Sequence, residues 1–305
     1  MTAPGESQAI SPGRVDAEAL AGHVRRLGAE IGERNVFRPQ ALAAAADFIE
    51  ETWTAQGYLV SRQGYQAHGL RCANLEVTRA GHSRRDEILL LGAHYDSVMG
   101  CPGANDNASG VAALLELSRL FAEVAPALSV RFVAFVNEEP PFFQTAAQGS
   151  MVYAEAARAR GDDIRLMISL ETIGYYSERP GSQHYPPPFG LFYPDAGNFL
   201  GFVADFRTRR LMRAVARLFR ARSDFPLEHL ATFRFVPGVN WSDHGSFWRH
   251  GYRAFMVTDT APYRYPHYHA PSDTPDKLSY TEFARATEGL WRTFRDLART
   301  GVAGW

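Results

Sequence analysis

The chain has 305 residues, of which 46% are hydrophobic, 12% aromatic and 21% charged, an ordinary globular balance that excludes intrinsic disorder. Lys+Arg number 32 and Asp+Glu 33, a formal net charge of −1, which argues against a protein built to hold nucleic acid or an anionic membrane. Two cysteines, Cys72 and Cys101, are too few for a disulfide framework or a four-cysteine zinc site. There is no run of about 18 apolar residues and no secretory-type apolar core near Met1, so a cytoplasmic protein without nucleic-acid or membrane partners is expected. Oligomeric state is not legible.

In chain order, residues 1–14 read as a loose tail, and 15–305 as a single domain. Leu20, Val24 and Leu27 repeat at helical spacing after Asp16. A second helix starts near Pro39 and runs to Trp53. Tyr58 to Tyr65, Asn74 to Thr78 and Ile88 to Leu91 read as strands. Gly110 to Phe121 has a helical apolar pattern, Val130 to Val136 is strongly β, Gly149 to Arg160 is helical, and Ile164 to Leu170 is a strand. Strands apolar along their whole length, alternating with helices, predict an α/β domain: a central mixed, mostly parallel sheet with helices on both faces. Residues 172–200 break the alternation with Gly, Pro and aromatic residues, and a loop that long is expected to serve the site. Thr208 to Arg222 reads as a basic amphipathic helix with a solvated face, and Gly251 to Asp259 as a strand. Ser279-Tyr280-Thr281-Glu282 has the wording of a capping box before the last helix.

Ionisable residues collect just after the apolar strands, where open α/β sheets bind ligands. The first strand end reads Gly92-Ala93-His94-Tyr95-Asp96. A neutral imidazole is a zinc ligand, and a nearby carboxylate such as Asp96 orients one. Asp106 lies in the small-residue turn Gly103 to Gly110, either as a ligand or, with Asn107, as a helix cap. Glu138 and Glu139 end the next strand, and their side chains diverge, so one is free to bind a metal while the other takes a proton from water. Glu171 ends another strand, and Asp243 precedes His244 in a loop. His267 and His269 share a loop with Asp273, placed to orient one of them; chemistry alone does not choose between the histidines. Each of these is an ordinary residue by itself. Together they offer two histidines and three carboxylates as ligands and one carboxylate as base, which suits zinc first. Five ligands suit two ions sharing a carboxylate.

The segments Gly92-Ala93-His94-Tyr95-Asp96-Ser97, Gly103 to Gly110, Asn137-Glu138-Glu139, Gly149-Ser150, Ser242-Asp243-His244 and Tyr268-His269-Ala270-Pro271-Ser272-Asp273-Thr274, in this order, resemble the M28 zinc exopeptidases, which include aminopeptidases and glutaminyl cyclases. The resemblance spans roughly 88–300. It implies His94 and Glu139 on one zinc, Asp106 bridging, and His269 with Glu171 on the second. It implies Glu138 as general base, Asp96 as partner of His94, and Tyr268 as an oxyanion donor. Asp243, Tyr175 and Phe142 are expected to bind substrate. Two departures stand out: Glu171 replaces the family's usual Asp, and Pro140 to Gln148 form an insertion before Gly149-Ser150. The expected function is that of an aminopeptidase with two zinc ions acting on a peptide or small amide. The alternatives are a mononuclear glutaminyl-cyclase-like enzyme and a non-catalytic binding module. Cys101 receives no role.

Overall fold

The computed structural model describes residues 13–302 and Trp305. All but the last two residues of the expected tail therefore lie outside the described residues. Those two are tied down: the Gly13 carbonyl accepts from Trp291 Nε1 at 3.1 Å, and that of Arg14 from the Arg119 guanidinium at 2.9 Å.

Two helices open the fold, α1 (Ala17–Arg25), capped by the Asp16 carboxylate, and α2 (Pro39–Ala55), which begins on a proline. The hairpin β1 (Ser61–Ala67) and β2 (Leu70–Arg79) follows. Then come β3 (Arg84–His94), α3 (Gly110–Ala122), β4 (Leu128–Phe135), α4 (Gly149–Arg160) and β5 (Asp163–Glu171). The second half adds β6 (Leu200–Asp205), α5 (Arg209–Arg222), β7 (Leu227–Thr232), α6 (His244–Arg249), β8 (Ala254–Thr258) and α7 (Tyr280–Thr300). The strands form one mixed eight-stranded sheet in the order β1-β2-β4-β3-β5-β8-β6-β7. The central run β4-β3-β5-β8 is parallel.

The unbroken apolar run of β3 reads as expected for a strand buried on both faces. Leu89 and Leu91 enter the larger core, with residues of α1, α2, α3, α5 and α7, while Ile88 and Leu90 enter a second core with Tyr153 of α4 and Phe247 of α6. Helices thus cover both faces. No helix among the described residues is long and apolar enough to cross a membrane.

Three details differ from expectation. Ser279 precedes α7, but its hydroxyl bonds the Tyr176 backbone, accepting from N at 3.2 Å and donating to O at 3.1 Å, so the capping box does not form. Asp273 orients no histidine. Its oxygens accept the amides of Asn105 and Asp106 at 2.8 and 3.1 Å and the Tyr265 hydroxyl at 2.7 Å. The strands β6 and β7 and the helix α6 have no counterpart in the sequence reading.

Candidate metal centre

Because β4, β3, β5 and β8 run parallel, their carboxyl ends share one edge of the sheet. His94 ends β3 and Glu171 ends β5. Gly92 pairs with Ser169, so His94 and Glu171, each two residues further on, point the same way from adjacent strands. Glu138 and Glu139 follow β4, and Asp106 comes from the turn before α3.

The side chains converge. His94 Nε2 lies 3.3 Å from Asp106 Oδ1 and 3.4 Å from Glu171 Oε2. His269 Nε2 lies 3.0 Å from Asp106 Oδ2 and 3.4 Å from Glu139 Oε1. Two ligands of one tetrahedral zinc, each about 2.0–2.2 Å from the ion, stand about 3.3–3.6 Å apart. The contacts therefore fall into two pairs, His94 with Glu171 and His269 with Glu139, each beside one oxygen of Asp106. His94, Asp106 and Glu139 also fall within 4.8 Å of one another. That bound is wider than one ligand shell, so the shorter contacts sort the set. The resemblance implies His94 with Glu139 and His269 with Glu171; the shorter side-chain contacts are those of His94 with Glu171, its register neighbour, and of His269 with Glu139.

Asp96 is 3.5 Å from His94 Nδ1, too long for a hydrogen bond. Its oxygens instead accept the amides of Glu138 and Glu139, both at 3.1 Å, and so aim the paired acids. Glu138 Oε1 is buried without a hydrogen-bond partner, as are His94 Nδ1, Asp106 Oδ1 and Glu139 Oε1. Tyr268 stacks on His269 with ring centroids 3.9 Å apart.

Crowded carboxylates perturb one another. Burial, reinforced by Glu139 and Glu171, holds Glu138 well above the ordinary carboxylate range. Burial, with Asp106, pushes Glu139 up to about 7. Burial also raises Glu171, against the pull of His94. Burial opposes ionisation of Asp106 too, but His269 and His94 overcome it and hold that acid low. Burial would lower His269, yet Asp106 and Glu139 raise it to about 10. Burial raises Tyr268 far above its usual value, so its hydroxyl stays a donor.

Several residues that build the site are not apparent from the sequence. Arg34 is fully buried under the loop between β3 and α3, and its guanidinium donates to the carbonyls of Leu27, Gly32, Tyr95, Pro102 and Gly103. Asp259, just after β8, accepts from Asn105 Nδ2 at 2.8 Å and the Tyr175 amide at 3.0 Å. The strand-end rule that found Glu171 applies equally to Asp259. Ser242 donates to Glu171 Oε2 at 2.7 Å.

None of the three expected substrate contacts lines the cavity beside Glu171. Asp243 is fully buried beside Ser242, and Phe142 packs edge-on against the His68 ring. Tyr175 packs on Tyr265. The cavity that opens beside Glu171 and Tyr268 is walled instead by segments 183–203, 228–241 and 256–263, with a volume of about 850 Å³ including its mouth. Cys101 is a buried free thiol.

The residues fit a divalent cation. Two histidines and three carboxylates face inward at ligand spacing, with buried polar atoms lacking other partners, and histidine with carboxylate is a zinc donor set. An acid–histidine cluster at the carboxyl ends of parallel strands, beside a buried unpartnered glutamate, defines a metal-dependent hydrolase. The chain belongs to Peptidase family M28, whose profile matches residues 74–294. It is by class a zinc metallopeptidase. The chain is 37% identical over 290 residues to the "Uncharacterized protein YfbL" of Escherichia coli, covering 92% of this chain and 88% of that one. Its fold resembles BSAP, a zinc aminopeptidase from Bacillus subtilis, with TM-score 0.76, 14% identity, and 95% and 97% of the two chains covered. It also resembles the Bacteroides thetaiotaomicron glutaminyl cyclase, with TM-score 0.70, 18% identity, and 94% and 99% covered.

Proposed function

We propose that this protein is an aminopeptidase that removes the amino-terminal residue of a peptide at a dinuclear zinc site. The observation that carries this reading is the pair of half-sites: each histidine contacts its own glutamate and its own oxygen of Asp106. Glu171, although one methylene longer than the family's usual Asp, keeps its carboxylate within 3.4 Å of His94 Nε2.

Bound zinc supplies Lewis acidity and brings the pKa of coordinated water towards about 7. Glu138 has a free Oε1 and a raised affinity for protons, so it accepts the proton of the attacking water and returns it to the leaving nitrogen. Asp96 fixes the two acids through their amides. Tyr268 lies where the cavity meets Glu171, so its hydroxyl donates to the developing oxyanion. The cavity beside Glu171 holds the side chain being removed.

The test is product analysis on zinc-loaded protein with a mixed peptide library. Release of free amino acids from peptide amino termini supports the reading. Conversion of amino-terminal glutamine to pyroglutamate without hydrolysis would replace it with the cyclotransferase reading. No conversion of any peptide would favour a binding module.

A further inference from the structure

The cavity beside the metal centre has a charged far end. Its floor is the sheet face that α4 and α6 leave open over β8, β6 and β7. One row of side chains crosses that floor: Glu171 pairs with Thr258, Thr258 with Gly201, and Gly201 with Glu228. Directly opposed residues share a face, so Glu228 of β7 looks into the same space as Glu171. Both line the cavity. With strands about 4.8 Å apart, three steps separate their backbones by about 14 Å. Gly201 has no side chain, and Thr258 has a short one, so the middle of the row is low.

The walls are apolar and their polar atoms are already used. Tyr193 donates its hydroxyl to the His229 carbonyl at 2.9 Å, Tyr185 to that of Pro194 at 2.6 Å, and Tyr263 to that of Pro237 at 3.2 Å. Val203, Leu230, Val236 and Met256 add to the apolar lining. Glu228 is different. It is half-buried, and among the described residues it makes no hydrogen bond or ion pair. Its nearest cation, Arg220, donates to the Leu227 carbonyl at 2.7 Å and contacts His229 Nδ1 at 3.2 Å. Arg220 belongs to α5, whose buried residues enter the opposite core with Leu227, so it approaches β7 from behind. Two histidines also line the cavity: His184, which is exposed at the rim, and His229, whose Nδ1 meets the Arg220 guanidinium. Burial raises Glu228, with Arg220 opposing, which marks a carboxylate short of a partner.

We infer that this cavity receives the side chain of the substrate's amino-terminal residue and that Glu228 selects arginine or lysine there. The inference rests on the exopeptidase reading and names its substrate class. A long, unbranched side chain lays its methylene stem on the apolar walls and carries its cation past Gly201 to the carboxylate. A leucine or phenylalanine side chain fills the near part and leaves Glu228 desolvated and unpaired, which is unfavourable. The α-amine does not compete for Glu228, because it remains at the Glu171 end.

The test uses the zinc-loaded full chain and amino-terminal Arg, Lys, Leu, Phe and Ala substrates sharing one leaving group. A charge-assisted hydrogen bond in this setting predicts kcat/KM for Arg or Lys above Leu by about tenfold or more. The near-isosteric Glu228→Gln should bring that ratio to about one, with thermal unfolding confirming the fold. Preference for Leu or Phe in the wild type, or an Arg/Leu ratio unchanged by Glu228→Gln, would overturn the inference while leaving the exopeptidase reading intact. Calorimetric binding of free L-arginine and L-norleucine to both proteins keeps the two apart. If no substrate is cleaved, the exopeptidase reading fails, and the inference stands only if arginine binds more tightly than norleucine and loses that advantage in Glu228→Gln. Equal binding of the two overturns it.

Discussion

Arg34 links the loops that carry the metal ligands, and removing it should damage fold and centre together. The guanidinium donates to Tyr95 O at 2.6 Å, Leu27 O at 3.3 Å, Gly32 O at 3.2 Å, Pro102 O at 2.5 Å and Gly103 O at 2.8 Å. Tyr95 follows His94, and Gly103 precedes Asp106 by three residues. Burial lowers the guanidinium to about 10, so it remains charged at neutral pH. Nη1 has two N–H groups for the three carbonyls of Leu27, Gly32 and Pro102, so about four full bonds at a net of about 1 kcal/mol each give about 4 kcal/mol. Water reaching the partly exposed carbonyls of Gly32 and Pro102 recovers some, so Arg34→Met should cost about 3–4 kcal/mol. Arg34→Lys keeps the charge but offers a compact ammonium for a planar fork, and should recover only part of the loss. Urea unfolding of the zinc-free protein measures the first effect. A chelator competition measures the second, expected as a roughly 10–100-fold weakening of zinc. A loss under about 1 kcal/mol together with unchanged zinc affinity would refute the claim that Arg34 holds the loops.

Glu138→Gln should lower kcat by about 100-fold to 10,000-fold while zinc content stays at the wild-type level, because the side chain handles protons and is not placed as a ligand; a matching loss of metal would contradict this assignment. His244 supplies a pH prediction away from the ligands. Burial lowers its imidazole from 6.5 to about 4, and Nε2 donates to the Val239 carbonyl at 2.8 Å. The unfolded chain therefore takes up that proton first, so stability is lost as pH falls below 6.5 and the loss levels off near 4. The loss should be roughly 2 kcal/mol at pH 5. Unfolding curves of His244→Gln should lack that share of the acid slope, and parallel pH profiles for the two proteins would show the group to be neutral in effect.

The central strands and the residues around the centre were legible because two local signals coincided: unbroken apolar runs, then ionisable residues at their ends. His94, Glu139 and Glu171 were found that way. The pairing of histidines with acids was not, since it depends on strand order and on the loops: β3 lies between β4 and β5, and Glu171 ends β5 in register with His94 while Glu139 lies in the loop beyond β4. The edge strand β7, Leu-Glu-His-Leu-Ala-Thr, is short and only partly buried, so it carries no clear period. β6 is short and directly follows the aromatic loop, and the turn residues before it, Pro194-Asp195-Ala196-Gly197-Asn198, read as more of that loop. The hairpin between β1 and β2 was readable in principle: His68 and Gly69 both have positive φ, 49° and 75°, in a two-residue turn. Asp243 is singled out by the wording Ser242-Asp243-His244 and Phe142 by its place in the insertion after the paired acids; both side chains are buried. The Ser279 cap failed for a tertiary reason, since its hydroxyl serves the Tyr176 backbone instead.

The most direct test of the central claim is zinc content per chain, measured by plasma mass spectrometry on wild type and two double variants. The paired half-sites predict about two ions in the wild type and about one in His94→Ala/Glu171→Gln, which leaves the His269–Glu139 half intact. They predict that His94→Ala/Glu139→Gln, which injures both halves, retains neither ion fully. One ion retained by His94→Ala/Glu139→Gln, with none held by His94→Ala/Glu171→Gln, would contradict the pairing, and a single ion in the wild type would contradict the dinuclear site itself.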